Sequence, residues 1–174
     1  MNGRRDSDRI VRNEPPRDAG RRARVMTTAS QCAWVPIEPG FFTIPSDRAQ
    51  APRLLGSRCV ACQEVFFPRR EICARCLGRE TVELLLGPRG TLYTWTYAHF
   101  PLFGSRRADA GGYGVGQVDL PEGPRVQAVL SGGPGDFRVG MEMELELEVL
   151  RENSKGEEVV IFRFRPATKP GGEK

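Results

Sequence analysis

Four cysteines, Cys59, Cys62, Cys73 and Cys76, form two C-x-x-C pairs separated by ten residues. No other feature constrains the fold as strongly. A C-x-x-C pair bends the chain into a knuckle whose two thiols face one point. Two knuckles close in sequence supply the four sulfurs of a tetrahedral metal site. The segments read RCVACQEVFFPRR and EICARCLGRE, with a short apolar arm, Val65-Phe66-Phe67, between the knuckles. A zinc ribbon is the expected fold, although four thiolates also suit iron. A disulfide pair would require an oxidising compartment, and no apolar run of signal-peptide length opens the chain. A redox C-x-x-C needs only one pair, at a strand-to-helix junction. Four thiolates leave no open position for water or substrate, so the metal is expected to be structural and the function is sought elsewhere.

With 174 residues, the chain has room for such a ribbon beside a modest second unit. A ribbon this short buries too little apolar surface to fold alone, and the metal supplies the difference. The net charge of +4 is unevenly placed: residues 1–30 hold eight arginines against four acids, and the remainder balances. A nucleic-acid-binding domain carries its basic excess in the folded part, and this one does not. The head lacks hydrophobic periodicity and contains Pro15-Pro16, so residues 1–30 are expected to be disordered. They read either as an interaction arm or as leader upstream of a start at Met26. Cys32 has no sequence partner and reads as a small buried hydrophobe. No transmembrane stretch is present, and a cytoplasmic protein is expected.

Residues 31–52 form an arm broken by Pro36, Pro39, Pro45 and Pro52, a density that excludes a long helix. Its aromatics, Trp34, Phe41 and Phe42, are expected to dock on the chain itself or on a partner. The ribbon is expected over 53–87, with Gly87-Pro88-Arg89-Gly90 as a linker. An all-strand region follows over 88–168, then a disordered tail, 169–174. Strands are predicted at Thr91–His99, Tyr113–Leu120, Arg125–Ser131, Met141–Arg151 and Glu157–Arg165. Closing the last hairpin on Asn153-Ser154-Lys155-Gly156 pairs Glu152 with Glu157, Val149 with Val160, Leu147 with Phe162 and Leu145 with Phe164. The opposite face then sets Glu146 against Arg163 and Glu144 against Arg165. One face is apolar and the other a charge ladder, as a half-buried antiparallel sheet requires. The acidic run MEMELELEVL is thereby a solvated strand face. Five short antiparallel strands suit a small closed barrel of the OB type.

Several apparent motifs fail on physical grounds. Gly112, Gly114 and Gly116 superficially suggest a phosphate-cradling loop, but no helix follows, as dinucleotide binding demands. Those glycines are expected to permit close backbone approach. His99, the sole histidine, has no nucleophile motif to accompany it, and a structural role is expected over a general base. Tyr93, Trp95 and Tyr97 alternate as a row on one strand face, the arrangement that stacks bases in OB-folds. Without a positive groove, packing is the expected use. Single-stranded nucleic-acid binding is the function that such a row would otherwise serve.

The whole pattern resembles one family: C-x-x-C pairs, FPRR after the first knuckle, GTLYTWT, the EGPR turn and FRP at 164–166. It is similar to the OB-fold and acyl-CoA-associated zinc-ribbon proteins, over about residues 54–167. The resemblance implies a rubredoxin-like ribbon followed by a five-stranded OB barrel. It implies a small, noncatalytic partner of a thiolase-fold enzyme that brings the catalytic residues, while the small subunit helps form the site for coenzyme A or acyl-CoA. Neither nucleic acid nor membrane is an expected partner; the alternatives to the subunit role are a single-stranded nucleic-acid-binding module and a stand-alone acyl-CoA binder. Coenzyme A carries phosphates, so Arg106 and Arg107 in the first barrel loop are candidate contacts, with Arg69 and Arg70 behind them. Gln63 stands where many members carry glycine, which bears on knuckle geometry but not on the ligand set. The arm replaces a helix that precedes the ribbon in the family.

Overall fold

The computed structural model describes residues 33–47, 49–102 and 111–167. The arginine-rich head, Cys32, Arg106, Arg107 and the tail fall outside the described residues. Those described hold nine strands and no helix. These are β1 (Trp34–Pro36), β2 (Leu54–Cys59), β3 (Val65–Phe66), β4 (Thr81–Leu86), β5 (Arg89–Ala98), β6 (Tyr113–Asp119), β7 (Arg125–Leu130), β8 (Glu142–Glu152) and β9 (Glu158–Pro166).

Strands β5 to β9 form the barrel. The chain runs β5-β6-β7 as an antiparallel meander, and β9 joins β7 in parallel. Strand β8 pairs with both β9 and β5, which closes the sheet. Closure removes the free edges that would otherwise template aggregation. The interior is filled by alternating residues, among them Leu92, Val118, Val126, Leu130, Met143, Leu145, Val160 and Phe164. Gly114 and Gly116 face inward, where an added Cβ would lie 2.8 Å from the Phe137 ring and 2.8 Å from Leu130 Cδ1. The glycine alternation is therefore core packing, consistent with the close approach expected from the sequence.

The predicted hairpin register holds where the apolar face enforces it: Leu145 opposes Phe164, Leu147 opposes Phe162, and Val149 opposes Val160. It fails next to the turn. An irregularity between Val149 and Arg151 shifts the pairing, so Glu152 opposes Glu158 rather than Glu157. The turn itself is fixed by Asn153, whose Oδ1 accepts the amides of Lys155 (2.9 Å) and Glu157 (3.0 Å).

The proposed linker is shorter than expected, because Arg89 and Gly90 already pair with Glu144 and Met143 in the barrel. Only Gly87 and Pro88 separate β4 from β5, and both are held: Glu122 Oε1 accepts the Gly87 amide at 2.7 Å, and the Pro88 carbonyl accepts the Leu145 amide at 2.6 Å.

The proline-broken arm docks on its own chain. Strand β1 adds in parallel to β9, and Trp34 Nε1 donates to Glu158 Oε2 at 2.7 Å. Phe42 is buried and bridges Leu54, while the Phe41 carbonyl accepts the Leu55 amide. Phe67 of the ribbon contacts Phe41 at 5.8 Å and barrel residue Phe162 at 5.7 Å, and Phe162 in turn contacts Phe42 at 5.8 Å. Edge-to-face rings at such separations contribute about 0.5–1.5 kcal/mol per pair beyond area burial.

Candidate functional site

The ribbon sheet, ordered β3-β2-β4, carries the first knuckle at the end of β2 and delivers the second just before β4. The two knuckles repeat one backbone pattern. Gln63 N–H donates to the Cys59 carbonyl at 3.0 Å, and Leu77 N–H donates to the Cys73 carbonyl at 2.9 Å. Cys59 N–H reaches the Glu64 carbonyl and Cys73 N–H the Gly78 carbonyl, each at 2.9 Å. Both knuckles turn on a left-handed residue, Gln63 at φ 61° and Leu77 at φ 60°. Glycine is the usual solution there. Gln63 compensates, since its Nε2 donates to the Val60 carbonyl at 2.8 Å. The glutamine is thus accommodated with the knuckle geometry intact.

All four Sγ atoms lie within 4.8 Å of one another, with Cys59–Cys76 at 3.6 Å and Cys62–Cys73 at 3.5 Å. Ligands 2.3 Å from a tetrahedral Zn²⁺ stand about 3.8 Å apart, so the cage fits the ion with small adjustment. The protonation balance also fits a cation. Burial pushes Cys73 up, but the amides of Cys76 and Arg75, each 3.4 Å from its sulfur, outweigh it and bring the thiol down to about 6. At Cys62 an amide contact with Glu64 works downward, yet burial and the other three thiols push it up to about 12. Four sulfurs this close cannot all ionise unaided, and a bound divalent ion removes that conflict. The shell is closed, with Cys59 and Cys73 fully buried, so the arrangement can clamp a fold but presents no open coordination position.

The FPRR segment is fixed by the buried Ser57, whose Oγ accepts the Arg70 amide at 2.9 Å. Arg69 pairs with Glu83 at 2.6 Å, and the Arg70 guanidinium lies 5.8 Å from the Phe66 ring centroid. His99 is exposed, with its ring 5.1 Å from that of Tyr97.

The expected aromatic row does not exist. A bulge between Leu92 and Thr94 adds one residue to β5 and reverses the alternation beyond it. Tyr93 stays outside, with the Arg125 guanidinium 3.2 Å over its ring, and Arg125 also pairs with Asp119 at 2.6 and 2.9 Å. Trp95 turns inward onto Phe137 at 5.3 Å, and Tyr97 packs against the core.

The charge ladder of β8 and β9 is only partly solvated. Arg165 pairs with Glu144 at 3.1 Å, but Arg163 pairs diagonally with Glu148 at 2.8 Å and is just 8% exposed. Arg163, Glu146 and Glu148 line a cavity of about 570 Å³ at one end of the barrel, with Tyr97, Tyr113 and Leu147 among its other walls. Sequence alternation placed these charges on the outer face. It gave no sign that the ends of β5, β6 and β7 would wall them in.

Two family models match in tandem. Residues 46–83 match "ChsH2, rubredoxin-like zinc ribbon domain" and residues 84–148 match "ChsH2, C-terminal OB-fold domain". The chain is 35% identical over 129 residues to the benzoylsuccinyl-CoA thiolase subunit BbsA of Thauera aromatica, which covers 74% of this chain and 86% of the relative. The chain belongs to the ChsH2-type zinc-ribbon and OB-fold family. A DUF35 domain-containing scaffold protein of Methanothermobacter thermautotrophicus is 33% identical over 124 residues, 68% of this chain and 90% of that one. Among solved structures, the Ltp2-ChsH2(DUF35) aldolase aligns with a TM-score of 0.54 at 27% identity, over 67% of this chain and 86% of the aligned one. The four-sulfur cage lies within the stretch that matches the zinc ribbon model.

Proposed function

We propose that this chain is the small subunit of a thiolase-type complex acting on a β-ketoacyl-CoA. The carrying observation is the identity to a thiolase subunit across 86% of that relative, spanning ribbon and barrel together. In this reading Cys59, Cys62, Cys73 and Cys76 hold structural Zn²⁺, the partner supplies the catalytic residues, and this chain helps complete the coenzyme A site. Arg106 and Arg107 remain the proposed phosphate contacts. Arg69 is less suited, because Glu83 already neutralises it. The substrate proposed is benzoylsuccinyl-CoA, cleaved with coenzyme A to benzoyl-CoA and succinyl-CoA in the cytoplasm. The division into arm (31–52), ribbon (53–87) and barrel (88–168) belongs to the same proposal.

Single-stranded nucleic-acid binding is disfavoured by the bulge that breaks the aromatic row and by Arg125 covering Tyr93. The test is co-expression with a thiolase-fold protein, sought first among the products of neighbouring genes. Co-purification at fixed stoichiometry, with thiolytic cleavage by the complex and none by this chain alone, is expected. Cleavage by the isolated chain, or salt-sensitive binding of single-stranded nucleic acid without assembly, would overturn it.

A further inference from the structure

We propose that the thiol cage is also an oxidant-sensitive clamp: a hydroperoxide oxidises Cys76, Cys59 closes a disulfide onto it, and the ribbon releases its metal. Of the reading above, this needs only the zinc assignment. The four cysteines differ in access. Cys59 and Cys73 are fully buried, Cys62 is half-buried and Cys76 is exposed. The sulfur of the exposed residue has a buried neighbour, that of Cys59, 3.6 Å away. An accessible thiolate beside a resolving thiol is the arrangement that hydroperoxides oxidise reversibly. Gly78 adds a second observation. Its φ is not left-handed, so the backbone does not demand glycine there. An added Cβ would stand 3.4 Å from the Cys76 sulfur and 3.7 Å from that of Cys59, both ordinary contacts. A side chain would therefore fit and would cover this pair, whereas glycine leaves it open to a small reagent.

The Cys76 thiolate attacks the terminal oxygen of the hydroperoxide. An S–O bond forms, the O–O bond breaks, and the departing hydroxide or alkoxide takes a proton from solvent. Cys76 is then a sulfenic acid. The Cys59 thiolate attacks its sulfur, the S–S bond forms, the S–O bond breaks, and hydroxide leaves to become water. The two sulfurs together lose two electrons, and the peroxide gains them. Cys62 and Cys73, with sulfurs 3.5 Å apart and neither residue exposed, form the second crosslink with a second equivalent of peroxide. Both crosslinks run between the knuckles. After the first, two thiolates remain, too few for a closed tetrahedral site, and the ribbon loses the metal that orders it. A dithiol reverses the sequence by thiol–disulfide exchange, and the cage reloads.

The test is addition of hydrogen peroxide to the zinc-loaded full chain. A colorimetric chelator follows free zinc, dimedone traps sulfenic acid, and mass spectrometry of unreduced peptides maps the crosslinks. Peroxide should release zinc stoichiometrically, dimedone should label Cys76, and Cys59–Cys76 should be the first disulfide. Dithiothreitol with added zinc should restore the loaded chain. Gly78→Ala and, more strongly, Gly78→Val should slow release severalfold while zinc content and thermal melting stay unchanged. Zinc retained under peroxide, a first crosslink within one C-x-x-C pair or to Cys32, or dimedone on another cysteine would overturn the clamp. So would wild-type release rates in both zinc-loaded variants. Where Gly78→Val does not hold zinc, Gly78→Ala and the wild-type dimedone map decide. A chain that binds no zinc would sink the zinc assignment and the clamp together, whereas zinc bound but insensitive to peroxide would sink the clamp alone. Failure to assemble with a thiolase-type partner would sink the subunit reading and leave the clamp standing.

Discussion

The ribbon and the barrel solve the same problem of small size in opposite ways. The barrel closes its sheet on itself and fills the interior with leucines, valines and Phe164, so side-chain packing alone gives it a core. The ribbon has three short strands, contributes Leu54 and Leu86 to the cluster that the barrel interior forms, and leaves Val60, Ile72, Leu77, Val82 and Leu85 substantially exposed. Its order comes from four converging sulfurs. On the proposed zinc reading, one region is stable because of what it excludes from water, the other because of what it binds.

Metal removal should break this contrast open most forcefully. Cys73→Ser, or treatment with a strong chelator, should abolish stoichiometric zinc and unfold the ribbon. Structural zinc contributes about 10 kcal/mol or more of apparent free energy to such modules. Metal analysis and amide NMR read the outcome, and the barrel resonances should stay dispersed. Because Leu54 and Leu86 join the same buried cluster as Leu92 and Phe164, loss of the whole spectrum would mean that this shared core makes the two regions unfold as one unit.

Phe164→Ala is the converse experiment. Phe164 is fully buried, and its truncation should cost about 3–5 kcal/mol in denaturant unfolding. Zinc content should be retained wherever the chain is folded. A smaller effect sharpens the comparison at Leu77, which pays for its left-handed turn with strain. Leu77→Gly should raise the ribbon's unfolding free energy by up to about 1 kcal/mol, measured by thermal melting at saturating zinc. Gln63→Gly should gain less, because it loses the bond to the Val60 carbonyl.

The smallest effect is electrostatic and belongs to the barrel surface. Hydrogen bonds from Arg125 hold the Asp119 carboxyl below the usual carboxylate range. A lowered folded-state pKa stabilises above the unfolded value, about 3.9, and that contribution disappears as pH falls through the folded value. Asp119→Asn should therefore lower the melting temperature slightly at neutral pH, where the contribution is fully present, and flatten the acid limb so that variant and wild type converge as pH falls through the folded value. An unaltered acid limb would show that solvent screens the pair completely.

What the sequence made legible was whatever one local rule determines. The C-x-x-C spacing located the thiol cage, and strict alternation set the register of Leu145, Leu147 and Val149 against their partners. Bulges were not legible, because one extra residue leaves no compositional trace. The bulge at Tyr93 converted an apparent aromatic row into one outside and two inside residues. The irregularity after Val149 moved the pairing at Glu152 for the same reason. The cavity was hidden more deeply, since its walls come from all five barrel strands, from Leu102 and Gly112 between β5 and β6, and from the segment after β7. The docking of Phe41 and Phe42 on their own chain likewise depended on where Phe162 and Phe67 met.

That meeting of rings has an evolutionary cost. Phe67 belongs to the ribbon, Phe41 and Phe42 to the arm, and Phe162 to β9, one residue before Arg163 of the cavity wall. A ribbon transplanted from a relative would arrive with a foreign ring at the junction and disturb the strand that carries Arg163. Chimeras should tolerate the exchange only when the four phenylalanine positions travel together. The junction thus makes the ribbon and the barrel a matched pair in this chain, so that a change of ring size on one side should need a compensating change on the other.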